Sequence, residues 1–293
     1  MSPRLIATLI GFSAILMWSL LAVFTVWSGT VPPFQLTALS FVVGGLVGLL
    51  SWIRRPGAIR ALRQPWPVWC LGVLGIFGYH AAYYFALRMA PPVEAGLVNY
   101  LWPLLIVVFS SFLPGERLRW FHAGGALLGL AGAVLVVSKG RSISIEPQYL
   151  TGYAAALFAA LVWSSYSVLS RRFANVPTDI VVGFCFVAAA LSGVAHLLFE
   201  TTVWPDTPLQ WLATIGLGLG PAGGAFYVWD YGVKHGDIQV LGASAYAAPL
   251  LSTGLLILAG ISDFTVIIGA AALLITCGAV LASKDMLFGG KKG

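Results

Sequence analysis

Asn99, Tyr100 and Trp102 stand almost side by side just before Pro103, inside the apolar stretch GLVNYLWPLLIVVFSS that starts at Gly96. In YHAAYYFALR, Tyr79 and Tyr83 are spaced i,i+4, as are His80 and Tyr84, and Trp18-Ser19 recurs as Trp163-Ser164. Covalent chemistry is not what these types suit. H-E-x-x-H and G-x-S-x-G are absent and no pair of aspartates sits mid-segment, so an enzyme is not expected. Indole, phenol, imidazole and amide groups can instead hold a small molecule. Ring faces accept apolar or aromatic side chains, and an amide deep in an apolar segment needs a polar partner. Trp18, Tyr79, His80, Tyr83, Asn99, Tyr100, Trp102, Trp163 and Tyr246 therefore form a candidate substrate-binding set. Pro103 and Pro249 are candidate gating hinges, because a proline removes a backbone donor and bends a helix.

Such a set has to be positioned by elements that lipid tolerates. The chain is 59% hydrophobic and 9% charged, against about 25% charged residues in an ordinary soluble domain. Its charges separate apolar runs of about 20 residues, the length of a membrane-crossing helix. Ten spans are expected, near 5–27, 34–53, 66–87, 94–113, 121–138, 150–170, 180–199, 211–233, 239–260 and 265–283. The segment Leu5–Trp27 is too long for a signal-peptide core and lacks a small-residue exit, so it is read as the first span. Connections are short, which leaves no soluble domain. The fold class is an all-α integral membrane protein whose business lies within the bilayer.

Charge sets the orientation. With the N-terminus inside, one face holds Arg4, Arg54, Arg55, Arg60, Arg63, Arg117, Arg119, Arg171, Arg172, Lys234, Lys284, Lys291 and Lys292. The other holds only Arg88, Lys139 and Arg141. Thirteen against three places both termini in the cytoplasm by the positive-inside rule. The same reading accounts for the net charge of +6 without nucleic acid.

The chain also repeats itself. Gly96, Tyr100, Pro103, Leu104 and Leu105 recur 146 residues later as Gly242, Tyr246, Pro249, Leu250 and Leu251. GAVL at 132–135 recurs at 278–281, and Arg88 corresponds to Lys234, in the same register. An internal duplication follows, with a first five-helix repeat over 1–140, a connecting loop over 141–148 and a second repeat over 149–293. Five spans is an odd number, so the second copy enters the membrane from the opposite side. Inverted repeats are the recurring plan of secondary transporters, with substrate sites near the midplane between repeats. The kinked fourth and ninth spans are then expected to be symmetry-related gates.

Other residues receive structural readings. Trp27, Trp52, Trp66, Trp69, Trp120, Trp204 and Trp211 fit interfacial belts, and Trp229 and Tyr231 lie close enough to a span end to belong with them. Asp230 precedes Lys234 by one helical turn as a favourable pair. Glu94 suits the N-terminus of the fourth span. Cys70, Cys185 and Cys277 are unpaired by spacing and are expected to be small buried residues, without a metal site or cofactor.

Ten spans in two halves, the repeated WS pair, the kinked fourth and ninth spans and the GAVL-bearing fifth and tenth spans resemble the drug/metabolite transporter superfamily. Within it the chain is similar to the EamA-type exporters. The stretch YHAAYYFALRMAPPVEAGLVNYLWPLLIVVFSS most resembles their aromatic amino-acid exporter subgroup. The resemblance implies a basket-like fold whose cavity is lined by spans one, three, four, six, eight and nine. It implies a carrier of aromatic and other neutral amino acids in the bacterial inner membrane, and a monomer is expected. The four-span multidrug relatives use a glutamate in their first helix, whereas the first span here, LIATLIGFSAILMWSLLAVFTVW, has no carboxylate. A gradient-driven carrier is therefore expected. A proton-coupled exporter of drugs or other metabolites, working through His80 or Glu94, is the alternative, and a channel or scaffold a more distant one.

Overall fold

The computed structural model of the protein describes residues 1–261 and 263–285. Lys291 and Lys292, and with them the placement of the C-terminus, lie outside the described residues. Among those described, every regular element is helical. Nine helical segments are long and apolar enough to cross a bilayer: Pro3–Trp27, Pro33–Arg54, Trp66–Met89, Pro92–Ser110, Trp120–Ser138, Pro147–Phe173, Thr178–Phe199, Pro208–His235 and Ile238–Leu258. A shorter apolar helix, Val266–Ala282, completes the ten. We number these spans in chain order.

Local chemistry explains where they start. The first, second, fourth and eighth spans open on Pro3, Pro33, Pro92 and Pro208, where the missing N–H is one the helix would leave unpaired anyway. Side-chain caps complete other starts. The Asp237 carboxylate accepts from the Val240 N–H at 3.1 Å, and the Thr207 hydroxyl from the Gln210 N–H at 3.2 Å.

The packing partners carry the symmetry of the halves. The second span packs on the seventh and the fifth on the tenth, while the first packs on the eighth and the third on the sixth. Exchanging each span for its counterpart five places on maps this set of pairs onto itself. The repeated GAVL glycines sit at the fifth–tenth contact. A Cβ on Gly278 would stand 2.6 Å from the Gly125 carbonyl oxygen, and one on Gly132 would stand 2.9 Å from the Ala271 carbonyl oxygen. Only hydrogen lets these backbones meet.

The aromatic-belt and cysteine expectations are partly corrected. Trp66, Trp120 and Trp204 are exposed, but Trp52 is buried and its Nε1–H donates to Asp179 at 2.9 Å. Cys185 is buried as expected, whereas Cys70 and Cys277 lie on the outer surface. A thiol behaves as a small apolar group, so a lipid-facing position suits it as well as a buried one.

The arginine-rich face is closed by ion pairs. Glu116 meets Arg171 at 2.7 Å and Arg4 at 3.4 Å, and Arg4 also meets Asp237 at 3.0 Å. These contacts tie the first and sixth spans to the connections after the fourth and eighth. Deeper on the same side, Asp230 and Lys234 pair at 2.8 Å with both side chains almost fully buried. Thr178 donates to the Asp230 carboxylate at 2.7 Å and Lys234 to the Val176 carbonyl at 3.0 Å, so the pair has polar company on each side.

Candidate functional site

Interruptions in four spans create the site. The third span passes through one π-helical turn over Leu74–Gly78, immediately before Tyr79 and His80. Such turns insert a residue and re-aim the side chains that follow. The eighth span breaks at the equivalent place, between Leu219 and Gly224. The Pro221 carbonyl freed there accepts the Trp18 indole N–H at 3.1 Å. The fourth span divides into Pro92–Asn99 and Trp102–Ser110, and the ninth into Ile238–Ser244 and Ala247–Leu258. Pro103 and Pro249 therefore do not occupy the bends themselves. Each lies in the first turn of the second half-helix, and the bend falls on the residues before it, at Tyr100–Leu101 and Ala245–Tyr246. A proline crowds the turn N-terminal to itself, so this placement is the expected one.

Between these spans lies a cavity of about 470 Å³. Trp18, Tyr79, His80, Tyr83, Asn99, Tyr100, Trp102 and Trp163 all line it, eight of the nine residues singled out from the sequence. The lining is completed by residues of the first, eighth and ninth spans, among them Thr25, Phe226 and Ser252, so the six spans implied by the family resemblance all contribute. Its rim residues Leu21, Thr25 and Val26 are exposed, and its base at Trp102, Trp163 and Phe226 is buried. The rim lies on the side away from the arginine-rich face.

The base is a cluster of four tryptophans. Trp18, Trp102, Trp163 and Trp229 have every pairwise centroid separation between 4.9 and 6.3 Å. Most are edge-on or tilted, the arrangements that ring quadrupoles favour. Tyr79 and Tyr83 stack at 6.1 Å on one wall. Among the described residues no Asp, Glu, Lys or Arg lines the cavity. Among the described residues no group of His, Cys, Asp and Glu is arranged to hold a metal ion.

Two polar side chains set the electrostatics. His80 Nδ1 lies 2.7 Å from the Ile76 carbonyl oxygen, which can only accept, so Nδ1 carries the proton and Nε2 is the free acceptor. Asn99 donates from Nδ2 to the Tyr79 hydroxyl at 3.1 Å. Its Oδ1 is buried without a partner. An unpaired buried amide oxygen carries a desolvation cost that a bound donor would relieve.

Tyr246 requires correction. It does not line this cavity but is fully buried beside the fifth span, where it occupies the space above Gly129. Its hydroxyl accepts the Leu104 backbone N–H at 3.1 Å, just past the break of the fourth span. Trp229 was read from the sequence as a possible belt residue, yet it is fully buried beneath the cavity with its Nε1–H donated to Ser167 at 3.1 Å. The offset of 146 held a signal for it, since Tyr83 corresponds to Trp229 and His80 to Phe226.

The comparisons agree with this architecture. The EamA-like transporter family matches residues 5–138 and 150–284. The chain is 55% identical over 278 residues to "Aromatic amino acid exporter YddG" of Ancylobacter novellus, covering 94% of this chain and 96% of that protein. It is 27% identical to the protein of the same name from Salmonella typhimurium, again covering 94% and 96%. A solved crystal structure with 55% sequence identity superimposes with a TM-score of 0.92, covering 96% of this chain and 97% of the other.

Proposed function

The chain belongs to the EamA-like transporter family, and from that premise we propose that it exports aromatic and other apolar amino acids across a bacterial inner membrane by alternating access. The observation that carries this reading is the cavity itself: ring-walled, lined among the described residues by no Asp, Glu, Lys or Arg, and bordered by a residue with an unpaired amide oxygen. An aromatic side chain would settle on the tryptophan base, each ring contact adding about 0.5–1.5 kcal/mol beyond area. The substrate ammonium would donate to Asn99 Oδ1 and the His80 Nε2, and its carboxylate would accept from tyrosine hydroxyls. The arginine-rich face is cytoplasmic in this reading, so the cavity opens to the periplasm. One chain encloses the whole cavity, and a monomer suffices for transport without chemical conversion of the cargo.

The test is counterflow in liposomes carrying the purified protein, across a panel of labelled amino acids with and without an imposed pH gradient. Saturable exchange of tryptophan, phenylalanine or tyrosine without a pH gradient is expected. Flux that demands the gradient would favour the proton-coupled alternative, and linear, unsaturable flux a channel.

Asn99→Leu is expected to raise the half-saturation concentration about tenfold or more, the consequence of losing a hydrogen bond to a charged group worth about 1.5–3 kcal/mol. The same comparison with 3-indolepropionate, which lacks the ammonium, should show no such penalty. An equal penalty for both ligands would remove Asn99 from ammonium recognition.

A further inference from the structure

The repeats share one grammar, yet its two copies are in different situations. In the ninth span, half-helix Ile238–Ser244 packs on half-helix Trp102–Ser110 of the fourth. Gly242 is at the contact, where an added Cβ would stand 3.0 Å from Ile106 and Val107 and 3.2 Å from the Pro103 carbonyl oxygen. Tyr246 crosses the same junction to take the Leu104 N–H. This closes the arginine-rich side.

Moving each residue by the repeat offset produces the mirror junction. Gly242 becomes Gly96, Tyr246 becomes Tyr100, and Pro103, Leu104, Ile106 and Val107 become Pro249, Leu250, Ser252 and Thr253. That junction is open here. Tyr100 and Ser252 line the cavity, and a Cβ on Gly96 would find its nearest neighbour at 3.6 Å, the Tyr83 hydroxyl. The glycine has no close neighbour in the conformation seen, while its counterpart is tightly packed.

We infer that Gly96 and Tyr100 are the second gate, held in reserve: the cavity closes on its far side when Gly96 seats against Pro249, Ser252 and Thr253 and the Tyr100 hydroxyl takes the Leu250 N–H. Tyr246 leaves Leu104 in the same movement, so the tyrosines alternate as latches. The cost of parting one junction is offset by forming its near-equivalent, which keeps two conformations close in free energy. This inference rests on the alternating-access reading but needs no particular cargo.

Ser252→Cys supplies the reporter, in a background with Cys70 and Cys277 changed to serine, read by labelling of liposome-reconstituted protein with a membrane-impermeant maleimide. Gly96→Val fits the present conformation and obstructs the other. Exchange of the best-carried amino acid should fall about tenfold or more with labelling of the Ser252→Cys position maintained or raised. Gly242→Val and the milder Tyr246→Phe obstruct or loosen the present closure, so labelling should fall in both. Gly96→Val exchanging within about twofold of the parent, or Tyr246→Phe leaving labelling unchanged, would overturn the inference. A parent that carries no amino acid but still shows the labelling changes would refute the cargo assignment and leave the gates standing.

Discussion

Trp163→Ala is expected to abolish transport of aromatic amino acids. The indole is nearly buried, with ring centroids of Trp18 at 5.7 Å, Tyr79 at 5.6 Å, Tyr166 at 5.3 Å and Phe226 at 5.7 Å. It therefore supplies both a cavity wall and the core behind it. Truncating a buried tryptophan costs about 3–5 kcal/mol in stability, and the void it leaves would let the other rings of the base shift. Two losses are superimposed, and Trp163→Phe separates them. That variant keeps a ring face and most of the packing, so its melting temperature should recover most of the deficit while counterflow returns only in part. Melting curves in detergent and counterflow in liposomes measure the two quantities. Full activity in Trp163→Ala would sink the proposal that cargo rests on this surface.

Lys234→Met should be the most destabilising single change on the arginine-rich side. The ammonium sits 2.8 Å from Asp230, with side-chain exposures of 3% and 2%. Removing one partner strands a buried charge, at a cost of about 3–5 kcal/mol. Thr178 remains as a donor to the carboxylate, which reduces the penalty without abolishing it. The double variant Asp230→Asn/Lys234→Met removes both charges and should regain most of the lost stability, since an apolar or neutral replacement of a buried pair is often nearly neutral. Chemical denaturation of the two variants decides. A single variant as stable as the parent would show that the pair contributes nothing to stability.

The two results would bear on different layers of the molecule. Trp163 belongs to the surface proposed to meet cargo, whereas Lys234 joins the eighth span to the connection before the seventh. Hydrophobic burial contributes little to helix association within lipid, so close backbone packing and interhelical polar contacts carry more of it. Gly278 against Gly125 is an instance of the first and Asp230 with Lys234 of the second.

Much of this was legible in the chain itself. Apolar runs of bilayer length specify the spans because a helix is what satisfies every backbone donor and acceptor locally in lipid. The recurrence at 146 residues paired Gly96 with Gly242 and Tyr100 with Tyr246, and the odd number of spans per repeat made the copies antiparallel. Eight of nine candidate residues meet in one cavity because bulky amphipathic groups at mid-span have few other places to go. What the chain could not disclose is which copy of the grammar is closed. Tyr246 and Tyr100 share the glycine four residues before and the Pro-Leu-Leu that follows, but one is buried against the fifth span and the other faces a cavity. Burial is a property of the spans packed around a residue, and those spans lie far from it in the chain. Trp229 was misplaced for the same reason: its distance from a span end is local, while the break at 220–223 that turns it under the cavity is a tertiary arrangement.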